Sequence, residues 1–178
     1  SVNIDYIGPT EEGVANMIAN GKKHIAFVSA SLSNPINGQY RLKGYKNALV
    51  NANIPFDEAL VFECEPTLQN GELLAPQLLE AGVDAAYVAG DELAIGLLNG
   101  IINAGVSVPE AFEVTASNNS RITEMARPKL TSIMLPLYDI GAVAMRLLTK
   151  IMNKEEIDEK SIILPYKIVN RGTTLPKK

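Results

Sequence analysis

The stretch Ala85-Ala86-Tyr87-Val88-Ala89-Gly90-Asp91-Glu92-Leu93-Ala94-Ile95-Gly96 changes periodicity partway along. Its first five residues form a short apolar run without alternation, the mark of a strand buried on both faces. From Glu92 to Ala104 the apolar residues recur at helical spacing, and Gly105 supplies the stop. Outward from this strand and helix, the same pair of signals repeats. Toward the amino end, Leu60 to Phe62 reads as a strand followed by a helix from about Asn70 to Ala81. Ile25 to Val28 is another strand, followed by a loop with Ser33, Asn34, Pro35 and Asn37 and a helix from about Gln39 to Asn51. Val2 to Ile4 opens the chain as a strand. Thr10 is placed as the N-cap of the next helix, which carries Val14, Met17 and Ile18 and stops at Gly21. Toward the carboxyl end come strands at Phe112 to Ala116 and Ser132 to Met134, a helix from Tyr138 to about Asn153, and a strand at Ile162 to Val169. Apolar strands separated by helices predict an α/β fold, a doubly wound parallel sheet in three αβα layers. In such sheets ligands meet the loops after strand carboxyl ends, here residues 29–40, 64–69, 89–92 and 116–128.

Composition narrows the function. The 178 residues are 47% hydrophobic, enough for one well-buried domain. No run approaches the roughly 20 apolar residues of a bilayer span, so no membrane partner is expected. Cys64 is the single cysteine, which excludes an intramolecular disulfide. A net charge of −4 argues against a large nucleic-acid surface on this chain. The sequence has no phosphate-binding glycine loop, no GxSxG nucleophile elbow and no HExxH zinc motif, and an enzyme is not expected. His24 is the only histidine, so a multi-histidine metal site is excluded and no metal or cofactor is expected. Asp91 and Glu92 suit a helix start through the helix dipole, and neighbours on a helix point apart, which disfavours a paired acid and base. A ligand-binding role stays open for Asp91.

Several segments in order resemble the effector domain of the LacI/GalR family of bacterial transcriptional regulators. They are Gly21-Lys22-Lys23-His24-Ile25-Ala26-Phe27-Val28, Arg41-Leu42-Lys43-Gly44-Tyr45, Asp91-Glu92-Leu93-Ala94-Ile95-Gly96, Gly105-Val106-Ser107-Val108-Pro109-Glu110 and Arg127-Pro128-Lys129-Leu130-Thr131-Ser132. The resemblance implies a periplasmic-binding-protein-like (type I) effector lobe, a cytoplasmic location and a homodimer. It assigns residues 1–22 and 128–156 to an N-terminal lobe and 23–127 and 157–178 to a C-terminal lobe. It also implies DNA binding only through a helix-turn-helix head, which does not precede Ser1. The dimer surface is expected on the Glu92 to Asn103 helix, where Leu93, Leu97, Leu98, Ile101 and Ile102 exceed what one core-facing stripe needs.

The helix beginning Pro136-Leu137-Tyr138-Asp139-Ile140-Gly141-Ala142-Val143-Ala144-Met145-Arg146 resembles the corepressor helix of the catabolite-control members of that family. The corepressor so implied is HPr phosphorylated on a serine, contacted by Tyr138, Asp139, Val143, Arg146 and Lys150. At about 100° per residue, Ile140, Ala144, Leu147, Leu148 and Ile151 gather on one face, assigned to the core. Asp139, Val143, Arg146 and Lys150 share a separate stripe, with the two cations on adjacent turns where they can meet one anion. The plain physical alternative is that these cations complement the helix dipole in solvent.

A small-molecule effector, a phosphosugar for instance, is implied at Arg41, the arginine of the family's R-x-x-G-Y/F motif, and at Asp91 and Asn118. Ala116-Ser117-Asn118-Asn119 departs from the family's acidic pattern there, since Asn118 replaces a carboxylate, and tight sugar binding is therefore not expected. The alternative from another class is a periplasmic-type sugar-binding protein of a transporter. The absence of tryptophan and an aromatic content of 6% count against its aromatic-lined cleft.

Overall fold

The computed structural model describes residues 2–155 and 161–176. The expected lobe boundary at 156–157 lies outside the described residues. Strands β2 (Ile25–Ser29), β3 (Val61–Glu63), β4 (Ala85–Val88), β5 (Glu113–Ser117), β6 (Thr131–Met134) and β8 (Lys167–Val169) form a six-stranded sheet in the order β3-β2-β4-β5-β6-β8. The first five run parallel, and β8 runs antiparallel against β6. Successive strand residues point to opposite faces, and here both faces are covered. Phe27 and Tyr87 pack with Val14 and Met17 of α1 (Ile7–Ala19) and Ala48 and Leu49 of α2 (Arg41–Asn51). Val28 and Val88 pack on the other side with Leu74 and Leu78 of α3 (Leu68–Glu80) and Leu97 and Ile101 of α4 (Asp91–Asn103). This is the three-layer αβα arrangement the apolar runs predict.

The α3 and α4 helices approach so closely that side chains are excluded between them. A Cβ at Gly96 would collide with the Leu68 carbonyl oxygen, and one at Gly71 with the Leu93 carbonyl oxygen. Glycine lets the two backbones touch.

Three expectations are corrected. Thr10 does not cap α1. Asp5 does so from outside the helix, its Oδ1 accepting from the Ile7 and Gly8 amides at 2.9 and 3.0 Å. Thr10 lies buried within the helix, donating to the Tyr6 carbonyl at 2.9 Å and meeting the Tyr87 hydroxyl at 3.0 Å. The expected strand from Ile162 to Val169 is two strands. Pro165 has no N–H to give a ladder, and around it β7 (Ile162–Leu164) pairs parallel with β1 (Val2–Ile4) in a separate two-stranded sheet. Helix α1 and strand β6 pack within the six-stranded layers, and β7 lies beside β1. Finally, Leu93, Leu97, Leu98 and Ile101 of α4 are wholly buried in the chain's own core, leaving only Ile102 of the expected dimer set exposed, at 38%. The α4 helix is rich in apolar residues because it lies between α3 and the sheet, while Glu92, Ile102 and Asn103 stay at the surface.

Candidate functional site

At the carboxyl edge of the sheet a cluster of polar side chains surrounds Arg41, the first residue of α2, which is itself only 3% exposed. A π-helical turn, Pro35–Tyr40, leads into it, opened by Asn34, whose side chain accepts from the Ile36 and Asn37 amides. The Arg41 guanidinium donates from Nη1 to Asn37 Oδ1 at 2.9 Å and from Nη2 to Asn118 Oδ1 at 3.4 Å. Its Cζ lies 5.4 Å from the centre of the Tyr6 ring. Arg41 is therefore held in place by amide oxygens and an aromatic face, without a carboxylate to neutralise it among these contacts. Of the three expected effector residues, Arg41 and Asn118 are brought together.

Asp91 occupies a different position. It is 4% exposed, and each of its oxygens accepts an internal bond, Oδ2 from the Ser120 amide at 2.6 Å and Oδ1 from the Ser132 hydroxyl at 2.8 Å. These bonds tie the start of α4 to the turn after β5 and to β6. Asn118 and Asn119 both have positive φ, 105° and 52°, a conformation asparagine tolerates better than most residues. The turn is fastened from three sides. The Asn118 amide donates to the Ile133 carbonyl at 2.9 Å and the Asn119 amide to Ser132 Oγ at 3.0 Å. Arg171 donates to Asn119 Oδ1 at 2.8 Å and to the Leu130 carbonyl at 2.8 Å. Sequence reasoning missed Asn37, Ser132 and Arg171. Asn37 stood within a segment already marked as crevice, but nothing local ties Arg171 to a turn 52 residues away.

The second candidate surface is α5 (Leu137–Met152), which touches the rest of the chain chiefly along β1. No residue of α5 is fully buried. Tyr138 is 91% exposed, and Asp139, Arg146 and Lys150 are also exposed, as a docking stripe requires. Val143 is the exception, half-buried with Ile140 and Leu147 on the inward side. Ala144, Leu148 and Ile151, assigned above to the core, are exposed instead. Helical spacing defines faces but does not say which of two apolar stripes meets β1.

Two further observations bear on function. Burial pushes the Cys64 thiol up from its ordinary value, so it is no activated nucleophile. Among the described residues, no group of three or more histidine, cysteine, aspartate or glutamate side chains could hold a metal ion, and no helix is long and apolar enough to cross a membrane.

Comparison with known proteins places these features in a family. Residues 14–174 match the model of the periplasmic binding protein-like domain. The chain is 53% identical over 98% of its length to catabolite control protein A of Streptococcus mutans, covering 52% of that protein. It is 42% identical over 98% of its length to catabolite control protein A of Priestia megaterium, covering 53% of that protein. It thus spans about half the length of the curated relatives it matches. The crystal structure of the transcription regulator CcpA of Lactococcus lactis superposes with a TM-score of 0.87 at 44% identity, over 98% of this chain and 64% of that one. The chain belongs to the periplasmic binding protein-like domain family, in the form that LacI-family transcriptional regulators carry as their effector domain.

Proposed function

We propose that this domain serves carbon catabolite control in the cytoplasm, binding serine-phosphorylated HPr as corepressor on α5 and passing that state to DNA through a helix-turn-helix head. The observation that carries the reading is the exposure of Tyr138, Asp139, Arg146 and Lys150 together on one helix. A phosphoserine brings close to two negative charges and three acceptor oxygens. Arg146 and Lys150, one turn apart, offer a planar fork and a mobile point charge to receive it. Val143, being half-buried, shapes the underside of α5 more than it meets a partner. The likeness to catabolite control proteins A supports the assignment of this helix.

The polar cluster at the sheet's carboxyl edge is the second part of the reading. A phosphosugar would meet Asn118, which is exposed, with the buried Arg41 guanidinium behind it and Asp91 bonded to the turn that carries it. The homodimer forms through an open groove of ≈ 500 Å³ beside α4, where Ile95, Asn99, Ile122 and Met125 meet and Met125 is 71% exposed. It replaces the buried leucines as the dimer surface.

The test is calorimetric titration of the full-length regulator with HPr in both forms. Serine-phosphorylated HPr should bind far more tightly than unphosphorylated HPr, and salt should narrow the gap. Arg146→Glu should weaken binding by at least ~2 kcal/mol, because an attractive charged contact becomes repulsive, and Arg146→Lys should lose less. Equal affinity for both forms, or an Arg146→Glu protein that binds like the parent, would leave the stripe as a solvated helix face.

A further inference from the structure

On the α1 side of the sheet, away from Arg41, a small cavity is lined by six polar residues together with Gly13, Ile168 and Leu175. Asn16 and Asn20 come from α1, Thr115 from β5, Thr131 from β6, and Asn170 and Thr174 from the segment that follows β8. Its room for a water-sized body is ≈ 10 Å³, at the lower end of the roughly 10–15 Å³ that one water needs.

Two donors on the wall have no assigned acceptor. Asn16 Nδ2 is buried and has no hydrogen-bond partner among the described residues. A buried amide left so would cost about 1–3 kcal/mol. Thr131 Oγ1 and Thr174 Oγ1 lie 2.8 Å apart, so one of their two protons is used between them. The Arg171 amide also donates to Thr131 Oγ1, at 2.8 Å, which adds a donor and removes a lone pair. Whichever hydroxyl donates to the other, one hydroxyl proton remains unassigned. Asn16 Nδ2 and that hydroxyl proton are two donors for one space with room for a single small molecule, and the side-chain oxygens of Asn20 and Asn170 on the same wall can accept.

We propose that this cavity is a binding site for one ordered water, whose oxygen accepts from Asn16 Nδ2 and from the Thr131–Thr174 pair. Its protons go to side-chain oxygens of Asn20 and Asn170. The water joins Asn16 of α1 to the Thr131–Thr174 pair, which already links β6 to the carboxyl-terminal segment. Asn16 is the residue that holds it.

The site is tested on the full chain in two ways. A crystal structure fine enough to show ordered solvent should place one water within hydrogen-bond distance of Asn16 Nδ2. In solution, the Asn16 side-chain amide protons should show cross-relaxation with a long-lived water. Asn16→Leu should abolish both signals, and Asn16→Ser, which keeps a donor should the leucine protein fail to fold, should retain the water. A dry cavity, an Asn16 amide turned onto a protein acceptor, or a water unmoved by Asn16→Leu would overturn the proposal.

Discussion

Asp91 shows what a single position can and cannot reveal in sequence. Its place at the handover from strand to helix is legible, and the helix dipole explains a carboxylate there. Its partners are not legible, because Ser120 and Ser132 lie 29 and 41 residues away. The same holds for Arg41, whose motif marks it while its bond to Asn118 spans 77 residues. Asp91→Ala would take the acceptor from the buried Ser132 hydroxyl and from the part-buried Ser120 amide at once. The expected cost is about 3 kcal/mol, since bonds to a charged group are worth roughly 1.5–3 kcal/mol each and their losses overlap. Asp91→Asn, which keeps one acceptor oxygen, should cost less than half as much. Urea unfolding measures both, and an alanine protein as stable as the parent would contradict the bonding role. Arg171→Ala belongs to the same network and should loosen the turn at Asn119 through loss of its 2.8 Å bond.

At the scale of the element, helix spans are read well and helix surroundings poorly. The α4 and α5 spans match expectation to within a residue or two, because apolar spacing and end signals are local. The outward turn of Ala144, Leu148 and Ile151 and the burial of Leu97 and Leu98 were out of reach, since both depend on what lies opposite. Two glycines separate these contributions experimentally. Gly141 in α5 has nothing within 4 Å of a built Cβ, so Gly141→Ala should stabilise by about 0.5–1 kcal/mol through helix propensity alone. Gly96 in α4 faces the Leu68 carbonyl, part of a backbone that cannot swing aside. There the same substitution should destabilise by at least ~1 kcal/mol despite the propensity gain, as overpacking costs about 1–3 kcal/mol. Thermal unfolding of the two proteins should move in opposite directions, and a shared direction would sink the close-approach argument.

For the whole molecule, the parallel sheet follows from doubly apolar strands, whereas the order β3-β2-β4-β5-β6, the return of β8 and the diversion of β7 to β1 rest on Pro165 and on contacts far apart in sequence. That return segment is pinned by Glu113, a wholly buried carboxylate at the start of β5. Its oxygens accept from Asn20 Nδ2 at 3.0 and 3.2 Å, and Oε1 also accepts from the Leu175 amide at 3.2 Å. Desolvation raises the Glu113 pKa above its ordinary 4.5, against the lowering effect of Asn20, Leu175 and Lys22, while Asp84 adds to the rise. Between the unfolded and the raised folded value the native state holds more protons than the unfolded chain, so this group's contribution to stability falls as pH rises through that window. Acid-sensitive carboxylates elsewhere pull the other way, so the test is a difference between two proteins. Glu113→Gln keeps an acceptor oxygen for one of the two donors and removes the titration. Subtracting its urea unfolding free energy from the parent's across mildly acid to neutral pH should give a curve that declines with pH and then levels, with the urea m-value unchanged. Parallel profiles would mean that Glu113 sits ionised at ordinary carboxylate strength, and that Lys22 and Asn20 outweigh its burial.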